Sequence, residues 1–261
     1  MLSSIYRITD YLAYLVTSKS RHGIHSPFVF DFYNNILLSK NKNAAFDIIE
    51  VLRRKMIHSK STIDFVDFGG GKKTGNRQLS EIASSTAKEA KYGRVLYRLV
   101  QALKPQFAIE LGTATGISTL YQACALSAEF PLHSIEASEP LSKIAQFNAE
   151  QADLKQNITF HTGKFETVLP QLLNNNAKLD YAFVDGNHQY TPTIQYFDML
   201  IANAHTGTVF VFDDINWSEE MKHAWSTIKN DKRVSLTIDI FTLGFVFFMP
   251  RKEKEHFVLR Y

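Results

Sequence analysis

The sequence predicts an α/β protein: an open, mostly parallel sheet of seven strands with a reversed last strand, preceded by a mostly helical N-terminal extension. Three observations predict it. From Gln106 to about Lys229, short apolar runs alternate with stretches of helical spacing, which specifies a parallel sheet with helices on both faces. Val234–Ile240 and Phe241–Met249 are β-rich runs with no room for a helix between them, so they form an antiparallel hairpin at the sheet edge. Before Pro105 the apolar positions recur at helical spacing instead. The expected organisation is an extension over residues 1–91 and a sheet domain over 92–261.

In chain order, Ile5-Ile8-Leu12-Leu15, Phe28-Phe32-Ile36 and Val95-Leu96-Leu99-Val100-Leu103 each form one apolar helical face. Pro27 suits the first turn of the second helix, with Ser26 as its N-cap. Thr62–Phe68 is a strand-like island that runs into Gly69-Gly70-Gly71. The alternating series then reads Phe107–Leu111, Leu132–Ala137, Asn157–Thr162, Leu179–Asp185 and Thr206–Asp214 as strands. Helices follow from Ile117, from Pro140, near Phe165, through Ile194 to Ala204, and from Ser218 to Lys229. No internal repeat or low-complexity segment interrupts the series.

Composition narrows the function classes. With 45% hydrophobic and 21% charged residues in 261, the chain is an ordinary globular one, and its formal charge of +3 gives no reason to expect nucleic acid as partner. The single cysteine, Cys124, forms no intrachain disulfide and builds no thiolate metal site, which favours a reducing cytoplasm. The first twenty residues are broken by Arg7 and Asp10, and the apolar run around Phe241–Pro250 is far below a membrane span, so neither secretion nor membrane insertion is expected.

In Ile109-Glu110-Leu111-Gly112-Thr113-Ala114-Thr115-Gly116 an apolar strand ends in an acid and then a small-residue turn that opens a helix. Small residues let backbone approach a ligand, and a helix start offers free N–H groups. The spacing is G-x-x-x-G, not the G-x-G-x-x-G of a dinucleotide turn. Glu136 ends the next strand, where an acid accepts hydrogen bonds from the ribose hydroxyls of a nucleoside. The rival glycine run at 69–71 has no second β-run at the right distance, and GGGKKTGNR lacks the closing G-K-[ST] of a phosphate loop.

ELGTATGIS resembles the cofactor loop of class I S-adenosylmethionine-dependent methyltransferases, and most closely that of the small-molecule O-methyltransferases of the catechol and caffeoyl-CoA type. The resemblance covers about residues 92–250 and implies the Rossmann-like seven-stranded sheet of that superfamily. It implies S-adenosylmethionine as cofactor. Its contacts would be Glu110, Gly112, Thr113, Gly116 and Ser118 around the turn, Glu136 and Ala137 after the second strand, Gly163, Lys164 and Phe165 after the third, and Asp185 after the fourth.

Strand four ends in Asp185-Gly186-Asn187-His188 and strand five in Asp213-Asp214. Neighbouring strand ends line the ligand crevice of an open parallel sheet, and crowded carboxylates call for a compensating cation, for which Mg2+ or another divalent ion is suited. In the catechol and caffeoyl-CoA enzymes an aspartate and an Asp-Asn pair at these ends are metal ligands. Asp185 and Asp213 match them, and Asp214 stands where asparagine is usual. Those enzymes carry a lysine base three positions after the first aspartate, where this chain has His188. An imidazole serves as a general base near neutral pH, and a loop-shaping hydrogen bond is the other reading of His188. The D-G-x-H form also resembles a broader branch of the methyltransferase superfamily, for which the resemblance does not imply a metal.

Arg21-His22-Gly23-Ile24-His25-Ser26-Pro27-Phe28 reads either as a lid over the acceptor, with His22 and His25 as contacts, or as a stable inter-helix corner. Trp217 is a second acceptor contact, and Trp225, two turns on, is packing. The expected activity is methyl transfer to an oxygen, less readily a nitrogen, of a small-molecule acceptor, in a chain that could act as a homodimer. A methyltransferase-like binding or scaffold protein and a nicotinamide-dependent oxidoreductase are the alternative readings.

Overall fold

The computed structural model describes residues 2–66, 74–174 and 178–261. The chain opens with α1 (Leu2–Thr17), a 3-10 turn at Arg21–Gly23, and α2 (Pro27–Phe32), which runs into a π-type turn over Tyr33–Leu37. Pro27 occupies the first turn of α2, where its missing N–H costs nothing; Ser26 holds the cap position without a side-chain capping bond. Helix α3 (Ala45–Ile57) precedes a hairpin of β1 (Thr62–Val66) and β2 (Thr74–Gln78), then α4 (Leu79–Thr86) and α5 (Ala90–Leu103).

The alternating series follows as β3 (Ala108–Leu111), α6 (Ile117–Ala123), β4 (Leu132–Glu136), α7 (Glu139–Gln151), β5 (Ile158–Thr162) and α8 (Phe165–Leu173). It continues with β6 (Leu179–Val184), α9 (Tyr190–Ile201), β7 (Ala204–Phe212) and α10 (Glu219–Asn230). The chain ends in β8 (Leu236–Asp239), β9 (Gly244–Phe247) and β10 (Glu255–Val258).

Two strands were not expected. β2, Thr-Gly-Asn-Arg-Gln, has a polar composition that carries no strand signal, and it pairs antiparallel with β1 from Thr62↔Gln78 to Val66↔Thr74. The glycine run at 69–71 lies outside the described residues. β10 is the second, pairing parallel with β8 beyond the expected last strand, so the seven strands of the expectation become eight besides the hairpin.

Two compact units divide the chain, residues 40–177 and residues 1–39 with 178–261. In the first, β3, β4 and β5 run parallel in that order. Phe46, Ile49, Leu52 and Met56 of α3 recur at helical spacing and are buried in one cluster with Leu120 and Tyr121 of α6. In the second unit β6 and β7 are parallel, while β9 is antiparallel to both β7 and β8. Phe183, Phe210, Phe212, Phe245 and Phe247 are fully buried there, each contributing about 1.5–3 kcal/mol of hydrophobic stabilisation.

The chain start joins this second unit through its chain end. Lys19 N–H donates to the Val258 carbonyl at 2.8 Å and the Arg260 N–H to the Lys19 carbonyl at 3.0 Å. Tyr14 Oη donates to the Leu259 carbonyl at 2.6 Å, and Tyr33 Oη to that of Arg260 at 3.1 Å. Trp225 is packing, as expected: it is buried, donates Nε1–H to Asp239 at 3.2 Å, and covers Gly244, where a Cβ would fall 2.6 Å from its ring. Among the described residues no helix is long and apolar enough to cross a membrane.

His133 on β4 and His161 on β5 stack at 5.3 Å between ring centroids, with Nδ1 of the first 3.1 Å from Nε2 of the second. Burial holds both imidazoles below the ordinary histidine range, and His161 adds charge repulsion to His133. The unfolded chain therefore binds more protons, so this contribution to stability is whole above about pH 6.5 and is lost as pH falls below it. The melting temperature should drop more between pH 7.5 and 5.5 in the wild type than in His133→Gln/His161→Gln; parallel curves would contradict this.

Candidate active site

The turn after β3 has its shape because two glycines permit it. Gly112 (φ 102°) and Gly116 (φ 84°) are left-handed, and Ala114 between them sits at φ 47°. The Gly112 and Thr113 N–H groups both donate to the Ile135 carbonyl, at 3.0 and 3.2 Å, fastening the turn to β4. Gly116 meets a second demand: a Cβ there would lie 3.0 Å from Ala145 Cβ and 3.1 Å from its Cα on α7. Backbone conformation and close approach together account for glycine at the end of the G-x-x-x-G spacing.

Beneath the turn lies Glu110, wholly buried. Its carboxylate accepts hydrogen bonds from Ser118 Oγ (2.8 Å), Thr119 Oγ1 (2.5 Å), Gln122 Nε2 (2.7 Å) and Ser134 Oγ (2.6 Å). Ser134 Oγ also lies 2.6 Å from Thr113 Oγ1, which ties the turn into the same network. Glu110, Thr113 and Ser118, expected as cofactor contacts, thus turn their side chains into the protein and shape the turn from below. Asn148 on α7 adds a further tie, donating Nδ2–H to the Thr115 carbonyl at 2.9 Å. The sequence reading missed it; an asparagine at helical spacing from Leu141 and Ala145 was the available signal.

Glu136 is half-buried at the end of β4. Its Oε2 accepts the Ala114 N–H from the turn and its Oε1 accepts the Ser138 N–H, both at 2.8 Å. These two bonds, one to each carboxylate oxygen, aim the group. Ala137 follows, half-buried. Gly163 N–H donates to the Glu136 carbonyl at 2.9 Å, which brings the start of Gly163-Lys164-Phe165 to the end of β4. Gly112, Gly116, Glu136 and Gly163 are therefore gathered in one unit, on the carboxyl ends of β3, β4 and β5.

The acidic strand ends belong to the other unit. The Asp213 N–H donates to the Val184 carbonyl at 2.9 Å, which sets Asp185 and Asp213 at neighbouring carboxyl ends of β6 and β7. Asp213 is buried, and Asp214 is left-handed at φ 53°. His188 Nε2 lies 3.6 Å from Asp185 Oδ1, and both Asn187 (φ 67°) and His188 (φ 32°) are left-handed. Among the described residues no three His, Cys, Asp or Glu side chains form a group able to hold a metal ion. Asp185, Asp213 and Asp214 are therefore outside any such group among the described residues.

Trp217 is half exposed after β7, with its N–H donated to the Asp214 carbonyl at 2.9 Å. His22 and His25 are exposed at a corner that the Lys19 pairing with β10 anchors, and the Arg21 guanidinium lies over the Phe30 ring at 5.4 Å.

A family model described as a methyltransferase domain matches residues 109–215, from β3 to just past β7. A catechol O-methyltransferase of Niastella koreensis is 32% identical over 124 residues, which is 47% of this chain and 55% of that protein. A caffeoyl-CoA O-methyltransferase of Stellaria longipes is 24% identical over 128 residues, 48% of this chain and 52% of that one. The chain spans about half the length of these curated relatives. The crystal structure of an O-methyltransferase from Bacillus cereus in complex with SAH superposes with a TM-score of 0.56 at 20% identity. It covers 84% of this chain and 97% of that one, which establishes a shared fold.

Glu110→Ala leaves four donors without their acceptor around a buried position and should cost about 3 kcal/mol or more. Urea unfolding is the measurement; a loss under about 1 kcal/mol would mean that the network rearranges around the missing carboxylate.

Proposed function

We propose that this chain, with a methyltransferase domain over residues 109–215, is an S-adenosylmethionine-dependent methyltransferase acting on an oxygen, less readily a nitrogen, of a small-molecule acceptor. The observation that carries the reading is the bond between the Glu136 carboxylate and the Ala114 amide of the left-handed glycine turn, which aims an acid at the position a nucleoside's ribose would take. The residues suit the group chemically: a carboxylate for vicinal hydroxyls, a turn free of bulky side chains, and the half-buried Phe165 for a ring face. S-adenosylmethionine, when bound, supplies a methyl group on a sulfonium that departs without its electron pair.

The chain's own part is binding, orientation and one proton. Gly112 and Gly116 shape the turn, Glu136 and Ala137 hold the ribose side, and Gly163, Lys164 and Phe165 frame the adenine side. His188, with Nε2 3.6 Å from Asp185 Oδ1, offers an imidazole to take the proton of an acceptor hydroxyl. Trp217, His22 and His25 are the acceptor contacts in this reading, and positioning supplies most of the rate.

The test is a thermal-shift titration with S-adenosylmethionine, S-adenosylhomocysteine and NAD, with and without magnesium. A ligand at a hundredfold excess over its dissociation constant adds about 2.7 kcal/mol, which raises the melting point of a chain of this size by several degrees. Both adenosyl ligands should give that shift and Glu136→Ala should abolish it; no adenosyl shift, or a shift with NAD alone, would sink the reading. A further gain with magnesium would restore a role for Asp185, Asp213 and Asp214 as ligands. With catechol as acceptor, His188→Ala should lower kcat by about 10²–10⁴ while adenosyl affinity holds.

A further inference from the structure

The loop after β6 contains a contact that neither its motif nor the acid–base reading explains. Asn187 and His188 are consecutive non-glycine residues with positive φ, at 67° and 32°. Positive φ is uncommon for any residue but glycine, though asparagine and histidine are enriched there, and two such residues in succession point to surrounding structure that holds them. The imposing contact is visible: Asn187 Nδ2 donates to Tyr196 Oη at 3.2 Å. Tyr196 is 1% exposed, in the middle of α9, so its hydroxyl is a fixed point within the core. Asn187 thereby links the loop to the helix that follows it. The next residue, His188, is turned back toward the strand end it has just left, with Nε2 3.6 Å from Asp185 Oδ1.

We propose that Asn187, held by Tyr196, is the positioning residue that aims His188 at Asp185. This rests on the reading of His188 as the base. The side chain of Asn187 touches neither reacting atom; it acts by fixing the backbone from which His188 projects. Two properties of asparagine are used together, its tolerance of the left-handed conformation and its amide N–H. Glycine supplies the first without the second, and aspartate keeps the first while accepting a bond from the Tyr196 hydroxyl.

The test reads the Asp185–His188 contact directly. In the ¹⁵N-labelled full chain at one fixed pH, Asp185→Asn should move the ring nitrogen resonances of His188, which are assigned by their loss in His188→Gln. That response should persist in the Asn187→Asp background and be lost in Asn187→Gly. Tyr196→Phe, which removes one hydroxyl, should diminish it with the amide spectrum otherwise unchanged. A full response in both Asn187→Gly and Tyr196→Phe would overturn the proposal, as would no response to Asp185→Asn in the wild type. In a second arm with catechol as acceptor, Asn187→Gly should lower kcat at least tenfold and leave S-adenosylhomocysteine affinity by calorimetry within about twofold. Failure of the wild type to bind S-adenosylhomocysteine would sink the methyltransferase reading, and the nuclear resonance arm would still decide whether Asn187 positions His188.

Discussion

The burial of the Glu110 carboxylate constrains everything around the glycine turn. An ion taken wholly out of water costs several kcal/mol unless donors surround it. Here they come from two elements: Ser118, Thr119 and Gln122 from adjacent turns of α6, and Ser134 from β4. Only one rotation of α6 and one register of β4 against β3 bring all four within reach. Through Ser134 the network also grips Thr113, so the turn inherits the rigidity of the charge beneath it. A site that orders a flexible ligand gains when its own atoms are already fixed, because less entropy is lost on binding.

Backbone strain is placed to match. Ala114, Asn187, His188 and Asp214 all have positive φ, and each lies within four residues of the carboxyl end of β3, β6 or β7. The strand residues just before these turns, 109–111, 181–184 and 208–212, are buried. Strain of this kind persists only where surrounding bonds over-determine it, and those bonds are present: the Gly112 and Thr113 amides on Ile135, Glu136 on Ala114, Asn187 on Tyr196, and the Trp217 amide on the Asp214 carbonyl. Rigid strands thus carry unusual turns at one of their ends, the end at which an open parallel sheet binds its ligands.

The extension before the first parallel strand has two fates. Residues 1–39 join the C-terminal strands, because Lys19, Tyr14 and Tyr33 find their backbone partners in Val258, Leu259 and Arg260. Residues from α3 onward join the unit of β3–β5, where Tyr121 Oη donates to Glu50 at 2.9 Å and Phe46 packs on Tyr97 and Tyr121. A split of this kind follows pairing across more than two hundred residues, which no local pattern encodes.

Local chemistry made much of this protein legible from its residues alone. Alternating periodicity located every parallel strand from β3 to β7 and the β8–β9 hairpin, since apolar period and turn residues are local properties. The G-x-x-x-G spacing located the turn, and the acids at the strand ends located Glu136, Asp185 and Asp213. Tertiary structure decided the rest. β2 and β10 are strands because partners offer them hydrogen bonds, not because Thr-Gly-Asn-Arg-Gln or Glu-His-Phe-Val is strongly patterned. Glu110 is a buried hub, because a side chain's direction depends on which donors the fold brings around it. Asn187 passed as a variable letter inside a motif. Its partner, Tyr196, sits nine positions away on a buried helix face, and only the folded chain sets the two side chains in contact.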